Sequence, residues 1–475
     1  MINSEERQSL PLGRALLVVA VLACTFLLVY SPHLAYKYRY HYDEWRSMTA
    51  ARRMAEGIYE RNSLGFEAGF HVFLRGVYAV VDLVDIYRFL PALWALIGSV
   101  VVFFYTRKCS QRFWTALAAM VFFASIRSSA DNLLGLWFFT PLSFAIPLIY
   151  GFVWLFGDAL GQHDIKKLAW SALLYAALIV SHPISATFLI PLIVIHAAMH
   201  RAFVLRHWRA CIAIGAVVVM AATIITWTSG ATWSTITSRL VYDKSWDGFD
   251  FVPLTWGYSF VGVLFALLGA GVAWHRRQLL LLLWPATTLA LVFSYHLFGN
   301  TIAFAPYSRM FYYFILGLPI LSAYGLTLAI TWIRTSLQDV PRPMMCAVIV
   351  VIVALTVFGS LFGYPEGKVP VQFIDDEDVA ALRFLGEYDA SLSPIIVLPD
   401  GLTVAAYAVS GHPIIGEYYF NDERTEERRF FTSDCATREG IIKVNAVAYV
   451  VSRERLDCGW QKIYDERDVI YRVAP

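Results

Sequence analysis

The sequence predicts an all-α polytopic membrane domain of about 11 spans, followed by a small extracytoplasmic α/β domain. Three observations carry this. Hydrophobic residues make up 58% of the chain and charged residues 16%, with the apolar residues gathered in long blocks. Basic residues concentrate in alternate connections between those blocks. From about Gly367 the composition turns to that of a soluble domain of about a hundred residues. The boundaries are therefore 1–366 for the membrane domain, with a first outer loop at 34–88, and 367–475 for the outer domain.

Windows of about twenty residues place spans near 15–33, 89–106, 112–126, 136–157, 168–182, 185–200, 209–228, 254–274, 278–297, 310–333 and 343–364. The first follows Arg7 and Arg14, lacks a small-residue cleavage site and reads as an uncleaved anchor. One set of connections holds Arg7, Arg14, Arg107, Lys108, Arg112, Lys166, Lys167, Arg201, Arg206, Arg209, Arg276, Arg277, Arg334 and Arg342. The opposite short loops hold Arg127, Arg239, Lys244 and Arg309. That imbalance puts the N-terminus in the cytosol and the C-terminal domain outside an inner or plasma membrane. The parity requires that Phe66–Val84, interrupted by Arg75 and closed by Asp82 and Asp85, lie at the interface rather than cross.

Residues 43–61 put Trp45, Met48, Ala55 and Tyr59 on one helical face, which suits a helix on the membrane surface. Lys37, Arg39, Arg46, Arg52, Arg53 and Arg61 make this outer loop basic, against the usual bias, and an anionic ligand would explain them. In the outer domain, helices are expected at 375–388, 402–409 and 422–431. Strands are expected at 394–398 and 446–452, with a hairpin over 460–473. Cys435 and Cys458 share this region, and whether they pair is left open. No repeat, low-complexity tract, nucleotide-binding fingerprint or nucleic-acid signature is present.

Candidate chemistry gathers at the outer ends of the spans. Asp43 could act as a general base or metal ligand, while Glu44, also a candidate for substrate contact, suits a helix N-terminus as a dipole partner. Arg127 and Asp131 offer a second acid and a cation, or simply an i,i+4 pair. His182-Pro183 is either a proton-transfer or phosphate-contacting group or an ordinary turn. Arg309, at the edge of a very apolar span, suits a phosphate oxygen better than solvent-directed snorkelling. Tyr307 beside it reads as an interface aromatic that also faces the substrate region. The loop 229–253, with Trp233, Tyr242 and Trp246, reads as an interface belt or as a lid.

Together these features resemble the GT-C glycosyltransferases, such as oligosaccharyltransferase catalytic subunits and protein mannosyltransferases. Asp43-Glu44-Trp45 with Ala51-Arg-Arg-Met-Ala-Glu-Gly57 resembles their first-loop pattern. Ser308-Arg309-Met-Phe-Tyr-Tyr313 followed by Leu318-Pro319 resembles their late arginine-bearing span. The resemblance implies hexosyl or pentosyl transfer from a polyprenyl-phosphate- or pyrophosphate-linked donor to a lipid, glycan or protein acceptor among membrane lipids. It implies Asp43 and Asp131 as catalytic acids and Arg309 as the phosphate contact, helped by Arg46. The Trp-Trp-Asp-Tyr-Gly motif of oligosaccharyltransferases is absent, and Ala-Asp131-Asn132 replaces a paired-acid motif, so a divalent cation (Mg or Mn) stays open. A transporter or lipid flippase is the rival reading, and it should carry ionisable groups inside its spans. A receptor or scaffold would leave Arg309 unexplained.

Overall fold

In a computed structural model the described residues are 11–473, except 36, 39, 59–66, 127–128, 131–132, 231–239, 247–250, 253, 337–340, 342, 345–346, 348–349, 352–353, 356–373, 390, 392, 399 and 416–424. The chain divides into two compact units. One comprises Met1–Tyr30, Arg61–Phe70 and Phe89–Val369; the other comprises Ser31–Glu60, His71–Arg88 and Pro370–Pro475. Much of the first loop thus groups with the C-terminal residues.

The first unit is a helical bundle of a multi-pass membrane protein. Among the described residues, six helices are long and apolar enough to cross a membrane: Leu12–Tyr30, Leu83–Ser110, Pro141–Gln162, Trp208–Ser229, Leu279–Leu297 and Tyr307–Ser336. Phe113–Ala124, Pro183–Met199 and Phe260–His275 are apolar but shorter, and Ile165–Ser181 has 17 residues. Helices therefore occupy every window expected from sequence up to 310–333, and the described residues of 343–364, most of which lies outside the described residues, are helical too. A 12-residue helix such as Phe113–Ala124 is about 18 Å long, short of a hydrocarbon core of about 30 Å. Sequence windows register apolarity, whereas crossing also needs length.

Glycines set the tightest helix contact in the bundle. A Cβ at Gly269 would collide with the Leu321 carbonyl, and one at Gly325 with the Phe265 carbonyl. The helices Phe260–His275 and Leu318–Ser336 therefore meet backbone to backbone, as small residues allow in membrane bundles.

The second unit contains a four-stranded sheet in the order Ile395–Leu398, Tyr449–Ser452, Val469–Arg472, Gln461–Asp465. The first pair is parallel and the other two are antiparallel. A parallel pair needs a crossover, and the helices Asp400–Ser410, Thr425–Thr432 and Cys435–Val444 lie within it. The last of these was not expected from sequence; Asp434 caps it by accepting from Thr437 N at 2.9 Å. Cys435 and Cys458 form a disulfide with Cα atoms 5.4 Å apart.

First-loop segments are bonded into this unit through specific charges. Arg52 Nη1 donates to the carbonyls of Tyr407, Ala408 and Val409 at 3.4, 3.1 and 2.8 Å, and Nε pairs with Glu56 at 2.7 Å. A guanidinium on the last carbonyls of Asp400–Ser410 satisfies groups that the helix itself cannot. Gly411, at φ +84°, ends that helix, and a Cβ there would meet the same guanidinium. Arg53 lies 4.4 Å from the Tyr407 ring centroid. Arg383 bonds Asp82 at 2.9 Å and Asp85 at 2.8 Å, and Lys37 pairs with Asp85 at 3.2 Å. Arg52→Ala is expected to lower the thermal stability of the full chain by about 2–3 kcal/mol, the cost of charged hydrogen bonds left unmade. Thermal unfolding in detergent measures it.

A buried acid pair sits between Asp376–Tyr388 and the strands. Asp378 accepts from Arg453 Nη2 at 2.6 Å and from Arg467 Nη2 at 2.7 Å. Asp468, equally buried, lies 3.8 Å from both Arg453 and Arg467 and has no hydrogen-bond partner among the described residues. Burial, and then the Asp378 charge, raise the Asp468 carboxyl to about 7. A folded-state pKa above the unfolded value means the native state holds the extra proton. Stability should therefore fall as pH rises from the ordinary carboxylate value, about 4, through the raised one. Asp468→Asn should flatten this profile and add on the order of 1–2 kcal/mol near neutral pH. Melting curves between about pH 5 and about pH 8 check the sign.

Candidate functional site

Two polar clusters hold those expected site residues that the structure describes, one in each unit. In the second unit the helix Tyr42–Ala55 begins with a reciprocal cap. His41 Nδ1 accepts from Asp43 N at 3.1 Å, and Glu44 Oε2 accepts from His41 N at 2.7 Å. Glu44 is fully buried, and its carboxylate is used on the backbone. Around this cap, Tyr40 packs edge-on to Trp45 and Tyr87 at 5.0 and 5.6 Å. The Tyr40 hydroxyl donates to Val84 O at 2.8 Å. Burial, and then the Glu44 charge, hold the Tyr40 phenol well above its ordinary range.

The aromatic packing fixes the start of the helix and leaves the Asp43 side chain 32% exposed. Asp43 Oδ2 lies 3.5 Å from His41 Nδ1. Because that nitrogen accepts from the Asp43 amide, the ring carries its proton on Nε2, and the approach supplies no donor to the carboxylate. Asp43 thus remains a half-exposed acid on a well-fixed backbone. Arg46 follows one turn on, half-buried. Of the basic residues that made this loop notable, Lys37, Arg46, Arg52 and Arg53 have protein partners, while Arg39 and Arg61 lie outside the described residues.

In the first unit the helix Tyr307–Leu316 positions Arg309 and Tyr307. The Tyr307 ring stacks on Tyr295 at 4.4 Å, and its hydroxyl lies 3.3 Å from His296 Nε2 and 3.4 Å from Val252 N. Arg309 Nη1 is buried without a hydrogen-bond partner, as is the Tyr312 hydroxyl one turn away. Among the described residues no acid pairs with Arg309. A buried guanidinium nitrogen with no acceptor is costly, and an anion repays that cost.

His182 belongs to the same cluster. It is buried, its Nδ1 is 2.7 Å from Ser185 Oγ, and Ser185 Oγ is 2.9 Å from the Tyr313 hydroxyl. Tyr313 stacks on Phe188 at 3.9 Å. His182, Tyr312 and Tyr313 all lie within the electrostatic reach of Arg309. The structure thus brings His182 and Arg309 together and adds Ser185 and Tyr312, which the sequence gave no reason to single out. Ser185 stands two residues after His-Pro, and Tyr312 one turn after Arg309; those spacings were the only signal.

Arg127 and Asp131 lie outside the described residues, so the second-loop acid has no position here. Among the described residues no group of three or more His, Cys, Asp or Glu is arranged to hold a metal ion.

No protein-family model matches the chain, and no curated protein matches its sequence. Solved structures do match. ArnT from Cupriavidus metallidurans in the apo state aligns with a TM-score of 0.58 at 14% identity, covering 97% of both chains. The same protein bound to undecaprenyl phosphate aligns at 0.57 and 13% identity, covering 97% of this chain and 98% of that one. The archaeal oligosaccharyltransferase AglB from Archaeoglobus fulgidus, in complex with an inhibitory peptide and a dolichol-phosphate, aligns at 0.50 and 10% identity, covering 92% of this chain and 69% of that one. At these identities the likeness is one of fold, and the chain has the fold of the GT-C membrane glycosyltransferases.

Proposed function

We propose that the protein is a glycosyltransferase that moves a hexosyl or pentosyl unit from a polyprenyl-phosphate- or pyrophosphate-linked donor to a lipid, glycan or protein acceptor on the outer membrane face. The observation that carries this reading is the Nη1 of Arg309, buried without a partner among the described residues and within electrostatic reach of His182, Tyr312 and Tyr313. A guanidinium is the side chain best suited to phosphate oxygens, and a surrounding low dielectric strengthens the contact. The fold likeness to proteins solved with undecaprenyl phosphate and with dolichol-phosphate supports the same ligand chemistry. The transporter reading has no comparable support.

In the proposed reaction an acceptor heteroatom attacks the anomeric carbon opposite the phosphate. The bond from that carbon to the phosphate oxygen breaks, the phosphate leaves with the electron pair, and the configuration inverts. Arg309 stabilises the charge that develops on the phosphate, with Arg46 and Arg127 as further candidates for donor contact. Asp43 takes or orients the acceptor proton, and Asp131 is the second-loop acid. Purified protein in lipid nanodiscs, presented with a panel of polyprenyl-phosphate sugars and assayed for release of the lipid phosphate, tests the reading. Release from at least one donor supports it; no release from any donor, with or without Mg or Mn, would count against it.

A further inference from the structure

A cavity lies in the first unit among the helices Phe113–Ala124, Phe260–His275 and Leu318–Ser336. It measures about 220 Å³ and is lined by Arg112, Arg276, Tyr324, Thr115, Thr327 and Thr331, with apolar wall between them. Tyr324 stands roughly 15 residues beyond Arg309 on the apolar run Tyr307–Ser336, about 22 Å along a helix rising 1.5 Å per residue. The cavity is therefore separate from the Arg309 cluster, and it lies at the end of the bundle that carries the basic connections.

Neither Arg112 nor Arg276 has an ion pair among the described residues. Arg276 lies 3.5 Å from the Ser110 carbonyl and 5.6 Å from the Tyr324 ring centroid. The Tyr324 residue is 3% exposed, and its hydroxyl is buried without a hydrogen-bond partner. Thr327 and Thr331 donate to the carbonyls of Ala323 and Thr327 at 2.8 and 2.7 Å, and Thr115 meets Thr327 at 3.0 Å. The threonines therefore line the wall, and the free donors are the two guanidinium groups and the phenol. Two exposed guanidinium groups and a buried phenol around one cavity suit a phosphate diester.

What brings that phosphate is indicated by the neighbours. Trp114, Trp274, Leu328 and Trp332, in or beside the lining in sequence, are all exposed. Tryptophans at helix ends mark the headgroup level of a bilayer, and basic pockets between membrane helices collect anionic headgroups. We propose that this cavity binds the phosphate of an anionic membrane phospholipid, held by Arg112, Arg276 and the Tyr324 hydroxyl. The inference is independent of the transferase reading, and its test needs no turnover.

The test titrates the full chain in neutral detergent with dioctanoyl phosphatidylglycerol, dioctanoyl phosphatidylcholine or inorganic phosphate, reading tryptophan fluorescence and thermal shift. Phosphatidylglycerol is expected to saturate, and phosphatidylcholine to bind more weakly. The double variant Arg112→Gln/Arg276→Gln should lose roughly ten- to hundredfold in affinity, the cost of two charged hydrogen-bonding groups. Tyr324→Phe, nearly isosteric, should lose several-fold, and it decides the matter if the double variant does not fold. Arg334→Gln, an exposed charge outside the cavity, should bind as the wild type does. Equal binding of the two lipids, or unchanged affinity in both Tyr324→Phe and a folded double variant, would overturn the proposal. Inorganic phosphate binding as tightly as the lipid would assign the cavity to a soluble anion and overturn the lipid assignment.

Discussion

Arg309→Ala is expected to lower donor turnover by roughly 10²–10³-fold, the usual effect of removing one preorganised donor from a developing oxyanion. The argument rests on where the guanidinium sits. Its Nη1 is buried within electrostatic reach of His182, Tyr312 and Tyr313, with no carboxylate pairing with it among the described residues. Removing it should relieve rather than harm the free protein, so thermal stability should hold or rise while activity falls. That opposition separates a ligand-binding arginine from a structural one. Arg309→Lys should recover part of the activity, because an ammonium keeps the charge but loses the planar pair of donors. Steady-state release of lipid phosphate, with a melting curve for each variant, reads both halves of the expectation.

Asp43→Asn is expected to cost roughly 10²–10⁴-fold in turnover if the carboxylate removes the acceptor proton, the range typical of general acid–base catalysis. Stability should barely move, since the Asp43 amide, which completes the cap with His41 Nδ1, is unchanged by the substitution. Glu44→Gln gives the contrasting outcome. Glu44 closes the cap from a fully buried position, so its loss of charge should appear first as a lower melting temperature. Measuring the two variants side by side separates a reacting acid from a structural one only one residue away.

What could be read from the chain divides along physical lines. Helices formed by long apolar blocks were legible because composition alone reports them, and the outer-domain strands near Ile395–Leu398 and Tyr449–Ser452 were legible as short β-branched runs between turn signals. The helix Cys435–Val444 was not, because its apolar residues gather late, at Ile441, Ile442 and Val444, and its start is marked only by the Asp434 cap.

The first loop shows where charge counting stops. Its excess of cations pointed towards an anionic ligand, yet Arg52 serves helix carbonyls, Arg53 faces a tyrosine ring and Lys37 pairs with Asp85. Partners more than 350 residues away in sequence, as in Arg52 with Tyr407, leave no local trace. His41 as a cap was equally hidden, since imidazole is not among the usual capping groups. Arg309 was legible because a lone guanidinium at the edge of a very apolar span is conspicuous by cost, whereas Ser185 and Tyr312 become notable only through the neighbours that folding gives them.

The most direct measurement is the affinity of the full chain, in phosphatidylcholine nanodiscs, for a polyprenyl phosphate without its sugar. The account predicts saturable binding by the wild type that weakens roughly tenfold or more in Arg309→Ala, as loss of a charged hydrogen bond requires, and is unchanged in Asp43→Asn. Binding that never saturates, or that is equally tight in Arg309→Ala, would contradict it.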